Sequence, residues 1–209
     1  VKDGETSVIG GNTLYQYIAI HDNTPYFIAA DGSVSKYDKA SGELKRQVRV
    51  PGVSRRNDLT GEIVDGDKWL LFTTRGCYEF DFTKSMLHEL PVGISKGRTV
   101  DDGNGVYGIY EGTGRFHCYK KGKGFLKSFE AMTPEQMKLI DLERYSILED
   151  SRGIIWITTR GNGLWAYLPE KERLEHFTAN DKENILPSDA LLDIFEDKSG
   201  TLWIGTELT

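Results

Sequence analysis

One stretch of this chain repeats itself almost position for position. Ile147-Leu148-Glu149-Asp150-Ser151-Arg152-Gly153-Ile154-Ile155-Trp156-Ile157-Thr158-Thr159 aligns with Ile194-Phe195-Glu196-Asp197-Lys198-Ser199-Gly200-Thr201-Leu202-Trp203-Ile204-Gly205-Thr206, about 47 residues downstream. Weaker copies lie upstream. Ile63 to Lys68 leads into Trp69-Leu70-Leu71-Phe72-Thr73-Thr74, Val100 to Gly105 into Val106-Tyr107-Gly108-Ile109-Tyr110, and Ile20 to Asn23 into Tyr26-Phe27-Ile28-Ala29-Ala30. The aspartates that close the first strand of each copy are Asp22, Asp65, Asp102, Asp150 and Asp197, about 43, 37, 48 and 47 residues apart. Self-similarity at a period of roughly 20 to 50 residues marks a repeat architecture, in which each unit buries its apolar face against its neighbours.

The local pattern says what each unit is. Runs rich in Ile, Val, Tyr, Phe, Trp and Thr alternate with Asp-Gly, Ser-Gly and Gly-Asn-Gly turns, which reads as all-β. After each second strand comes a third ending in an aromatic residue, as in Val34-Ser35-Lys36-Tyr37 or Phe116-His117-Cys118-Tyr119. A fourth follows, as in Leu44 to Val48 or Arg173 to Phe177. Four antiparallel strands per repeat of about 40 to 45 residues is the sequence form of a β-propeller blade. The second strands are apolar at successive positions, as expected when neighbouring blades cover both faces. Blades are expected at 13–50, 58–92, 98–130 and 144–180, with half a blade at 190–209. Such a partial ring of about four and a half blades leaves blade faces uncovered, so the remaining blades of a larger propeller are expected partners, and a second copy of the chain is another. Thr133-Pro134-Glu135-Gln136 has the form of a capping box and predicts a short helix at about 134–143.

Composition narrows the function classes. With 38% apolar and 11% aromatic residues the chain can pack a core, and a net charge of −6 with a pI near 5.3 argues against nucleic acid as a partner. No apolar run approaches the roughly 20 residues that cross a bilayer. Cys77 and Cys118 match no zinc or redox spacing and are expected to be buried small hydrophobes. Asp65-Gly66-Asp67 and Asp101-Asp102-Gly103-Asn104 resemble calcium loops but lack the bidentate glutamate, so Asx turns are the expected reading. His21, His88, His117 and His176 have no metal-ligand spacing, and no nucleophile elbow, HExxH, P-loop or dinucleotide fingerprint occurs. Neither a metal, a cofactor nor a catalytic residue is therefore expected.

The run from Glu149 to Tyr167, followed by Glu196 to Thr206, resembles the two-component regulator propeller repeat: Glu-Asp, two residues, Gly, an apolar residue, then Trp-Ile-Gly-Thr, a glycine turn, Gly-Leu and an aromatic. Upstream the tryptophan is expected to be replaced by Phe27, Leu71 and Tyr107. The resemblance implies the periplasmic sensor region of a Bacteroides-type hybrid two-component system, with a membrane connection only through the parent protein. It also implies recognition of an oligosaccharide in order to control polysaccharide-utilisation genes. A propeller enzyme of streptogramin-lyase-like type and a protein-interaction scaffold are the alternative readings.

The strands of a blade run up and down, so the longer connections at 51–58, 93–98, 131–144 and 180–190 share one face, where a ligand is expected. Arg55, Arg75, Arg98, Arg160 and Asn162 are the candidate ligand residues. The residue leaving the second strand reads Asp31, Arg75, Glu111, Arg160, Glu207 through successive blades. Interblade ion pairs are the favoured reading of that alternation. The functional alternative is a uronate or sulfate held by Arg75 and Arg160 through forked hydrogen bonds, with Asn162 and Trp165 as sugar contacts.

Overall fold

The tight turns named above fold the chain back on itself about every ten residues, and strands result. The computed structural model describes residues 11–131, 133, 145–182 and 186–207. It is all-β, built of four-stranded antiparallel sheets that are β-propeller blades. The first comprises β1 (Tyr15–His21), β2 (Thr24–Ala29), β3 (Ser33–Asp38) and β4 (Glu43–Arg49), and the second β5 (Leu59–Asp65), β6 (Lys68–Thr73), β7 (Cys77–Asp81) and β8 (Met86–Leu90). The third holds β9 (Arg98–Asp101), β10 (Val106–Tyr110), β11 (Arg115–Lys120) and β12 (Gly124–Glu130), and the fourth β13 (Ser146–Glu149), β14 (Ile155–Thr158), β15 (Leu164–Leu168) and β16 (Arg173–Phe177). A two-stranded sheet of β17 (Leu191–Glu196) and β18 (Leu202–Thr206) follows. Strands pair in chain order in every sheet. The helix expected at 134–143 lies outside the described residues.

The chain divides into two compact units, Val1–Arg98 and Thr99–Thr209. In the first, Ala19, Tyr26, Ile28 and Val34 of one blade pack with Leu59, Trp69, Leu71, Tyr78 and Phe80 of the next. Every residue of β6 from Trp69 to Thr73 is buried, which is why that strand has no polar alternation. In the second unit, Val106, Phe116 and Cys118 pack with Ile147, Ile155, Ile157 and Tyr167. Leu191 and Ile194 of the two-stranded sheet then cover Leu148 and Trp156 of the fourth blade. Cys77 and Cys118 are free and buried, and burial pushes both thiols up to about 12.

The repeated aspartate and tryptophan form one clasp. Asp150 Oδ1 accepts the N–H groups of Arg152 and Ile154, both at 2.9 Å, and Oδ2 accepts the indole N–H of Trp156 at 2.9 Å. Asp197 does the same with Ser199 N (2.8 Å), Thr201 N (3.1 Å) and Trp203 Nε1 (2.9 Å). The carboxylate thus holds the turn while the ring that donates to it packs on the blade. Burial pushes the Asp150 carboxyl up, but these hydrogen bonds outweigh burial and hold it below its usual range.

Two features of this position differ between repeats. Asp102 N donates to Val106 O as Asp150 N donates to Ile154 O, so the tryptophan's counterpart in the third blade is Gly108, not Tyr107. A Cβ at Gly108 would lie 2.2 Å from Phe116 Cζ, so a phenylalanine from the next strand fills the space. Trp203 is 61% exposed, because no described residue covers its face as the two-stranded sheet covers Trp156.

Candidate functional site

The first unit carries a cavity of about 400 Å³ lined by Arg49, Val50, Pro51, Gly52, Val53, Ser54 and Arg75. It lies on the face of the longer connections, where the chain passes from β4 to β5 and turns from β6 to β7. The backbone there is pinned from below. Val50 and Val53 are buried in the first unit's core, and Val50 N donates to Gly32 O at 2.9 Å. Gly32 has φ +84° and meets Val53 so closely that a Cβ would come within 2.8 Å of it.

Arg49, at the end of β4, is fixed by two carbonyls: Nε donates to Asp31 O at 3.0 Å and Nη2 to Val53 O at 3.5 Å. Arg75 lays its stem across the bare face of Gly52 (φ +71°), where a Cβ would sit 2.5 Å from Arg75 Cδ. Among the described residues its guanidinium makes no hydrogen bond or ion pair. No carboxylate lines the cavity. The carboxylate on the neighbouring turn, Asp31, accepts Ser33 N (2.9 Å) and Ser33 Oγ (3.0 Å), and these bonds, with Arg49 and Arg46 nearby, hold it below its ordinary range.

The other candidates are placed differently. Arg55 is mostly exposed and caps the 3-10 turn Arg56–Asp58, with Nε 3.4 Å from Asp58 Oδ1. Arg98 is exposed at the first position of β9. Arg160 is 21% exposed and pairs with Glu207 Oε1 at 3.4 Å, an ion pair between the fourth blade and the two-stranded sheet. Asn162 donates its side-chain amide to Ala131 O, and its backbone carbonyl accepts His176 Nε2 at 2.7 Å. His176 stacks on Trp165 at 3.8 Å, so both groups read as sugar contacts are engaged within the blades.

The alternating series is not one structural position. Thr73 closes its turn by donating from N and Oγ1 to Gly76 O, and Thr159 does so to Gly163 O. Arg75 is therefore the second residue after its threonine and Arg160 the first. Glu111 is buried beside His117, with Oε2 3.4 Å from His117 Nε2 inside one blade. Of the expected ion pairs the structure builds Arg160 with Glu207. Sequence reasoning passed over Arg49, which sits in a strand; its one sequence cue was a basic residue next to the Val50-Pro51-Gly52 turn.

The second unit has a cavity of about 410 Å³ lined by five carboxylates, Asp101, Asp102, Glu149, Asp193 and Glu196, and no cation. Each carboxylate is in use. Asp101 accepts Gly103 N at 2.9 Å, Asp102 accepts Asn104 N at 2.7 Å, and Asp193 accepts Ser146 Oγ at 2.8 Å. Glu149 holds Lys120 Nζ at 2.5 Å, and Glu196 accepts Ser151 N at 2.8 Å.

Fold and repeat together define a β-propeller. Residues 138–161 and 185–207 match the family model of the two-component regulator propeller. It superposes on the extracellular domain of a protein assigned as a hybrid two-component system of B. thetaiotaomicron with a TM-score of 0.51 and 18% identity, covering 97% of this chain and 27% of that one. A second such domain from the same organism gives 0.50 and 16%, covering 92% and 25%. A computationally designed protein gives 0.52 and 14%, covering 92% and 58%. At these identities the likeness is one of fold. The chain spans about a quarter of the length of the two extracellular domains. Among curated protein sequences none matches it. No helix among the described residues is long and apolar enough to cross a membrane.

Proposed function

We propose that this chain is a ligand-sensing segment of a hybrid two-component histidine kinase and response regulator, lying outside the cytoplasm in the periplasm, and that it detects an oligosaccharide without catalysing a reaction. The observation that carries the reading is the pair of two-component regulator propeller repeats at 138–161 and 185–207. Its support in geometry is the cavity on the connection face, whose lining is pinned by core valines and whose Arg75 is left without a partner among the described residues. Rigid blades that present loops at one face suit binding, since the lining need not be ordered when the ligand arrives.

A thermal-shift panel of neutral, uronic and sulfated oligosaccharides tests it. A ligand at about 100 times its Kd stabilises the fold that binds it by roughly 2.7 kcal/mol. A shift confined to one glycan class is the expected result. The absence of a shift with every class, here and in the longer parent protein, would overturn oligosaccharide sensing.

A further inference from the structure

We infer that the cavity between Arg49 and Arg75 is an anion subsite, shaped for the carboxylate or sulfate group of an acidic sugar. The inference rests on the ligand-sensing reading and adds to it the chemistry of the group recognised.

Charge comes first. The chain as a whole carries −6, yet this cavity is lined by two arginines and no carboxylate. Two guanidinium groups sharing one opening repel each other, and an anion between them relieves that repulsion. Asp31 offsets part of the charge of Arg49, but its oxygens are taken up by Ser33. The Arg75 guanidinium keeps its full set of donors among the described residues, and Arg49 commits only Nε and Nη2 to the carbonyls of Asp31 and Val53. The planar, forked donors of arginine match the two oxygens of a carboxylate or sulfate.

Preorganisation comes second. Arg49 is clamped by carbonyls and the Arg75 stem is seated on Gly52, so less rotamer freedom remains to be lost on binding than for a free surface arginine. The backbone between them is held by Val50, Val53 and Gly32. At about 400 Å³ the space falls within the range of small-ligand pockets and would take a single sugar unit of a longer chain.

The test measures Kd by calorimetry for trigalacturonate, a sulfated chondroitin disaccharide and neutral galactotriose, at fixed ionic strength, with the whole chain and its Arg49→Gln, Arg75→Gln and Lys198→Gln variants. Lys198 is an exposed turn residue of the second unit and controls for the loss of one positive charge. Thermal unfolding of each variant checks that it is folded. An acidic probe is expected to bind at least tenfold more weakly to Arg49→Gln and to Arg75→Gln, as for loss of a charge-assisted hydrogen bond, and unchanged to Lys198→Gln. Which acidic probe binds assigns the group as carboxylate or sulfate. Acidic-sugar binding that ignores both arginine substitutions overturns the subsite. So does binding of galactotriose alone, which would leave oligosaccharide sensing standing. If none of the three probes binds the wild-type chain, the anion subsite is overturned, and the broader panel decides separately on sensing.

Discussion

The two cavities are of nearly the same size and opposite in charge, and they differ in what the fold has already done with that charge. In the second unit all five lining carboxylates are consumed by turn N–H groups, serine hydroxyls and Lys120. In the first unit Arg75 is consumed by nothing among the described residues, and its counterpart in sequence, Arg160, is consumed by Glu207. A charge that closes a turn or an ion pair is part of the structure. A charge held in place yet left unpaired is available to a ligand. A count of charges does not separate the two cavities, whereas the accounting of partners does.

The largest effect should come from removing a carboxylate that the fold uses. Asp150 has a side chain with 0% exposure and five hydrogen-bond donors converging on it. Asp150→Ala is expected to destabilise by about 3 kcal/mol, because it leaves Trp156 Nε1 and two backbone N–H groups without their acceptor. Urea unfolding measures it, and a loss under about 1 kcal/mol would mean that such carboxylates are not structural.

Glu62 is the contrasting carboxylate of the first unit. Trp69 donates to it at 2.5 Å, but burial dominates and pushes its carboxyl up to about 7. A folded-state value raised above the unfolded one favours folding at low pH. The contribution is fully present below the unfolded value and is lost as pH rises toward 7, amounting to roughly 2 to 3 kcal/mol across that window. Glu62→Gln should flatten the decline of stability between about pH 5 and 7.5, as read from thermal midpoints in a pH series. An unaltered slope would remove Glu62 as its source.

Gly52→Ala should cost about 1 kcal/mol for its positive φ and displace the Arg75 stem, with which a Cβ would collide. The check is a crystal structure of the variant together with its melting temperature. An unmoved Arg75 would show that its seat on Gly52 does not fix it. The smallest effect belongs to Glu207→Ala, which removes the acceptor of Arg160 and leaves it unpaired at this contact, like Arg75. A half-exposed ion pair at 3.4 Å contributes about 0 to 1 kcal/mol, so denaturation at low and high salt should differ little from wild type. A loss near 2 kcal/mol would make this pair a principal tie between blade and half-blade.

Much of the architecture was legible because the determinants are local and repeated. A carboxylate five residues before the start of a strand and a tryptophan six residues after the carboxylate make the same clasp at Asp150 and Asp197, so alignment of the chain with itself finds them. The same alignment slipped where loops change length. Arg75 and Arg160 follow threonines with equivalent bonds but stand one residue apart, and the turn at Thr159 is one residue longer than that at Thr73. Tyr107 was matched to the tryptophans for a similar reason, when Gly108 holds that place and Phe116 fills it.

The sequence by itself determined the strands, their four-fold grouping and the turn chemistry that joins them, because each depends on residues within about one repeat of one another. It also placed basic residues on the connection face. What only the tertiary structure decided was which of those charges remain free. Arg160 meets a glutamate 47 residues away, Asn162 meets the carbonyl of Ala131, and Arg49 meets the carbonyl of Asp31, 18 residues back. Partners of that kind are set by how strands stack and blades pack, and no local pattern encodes them.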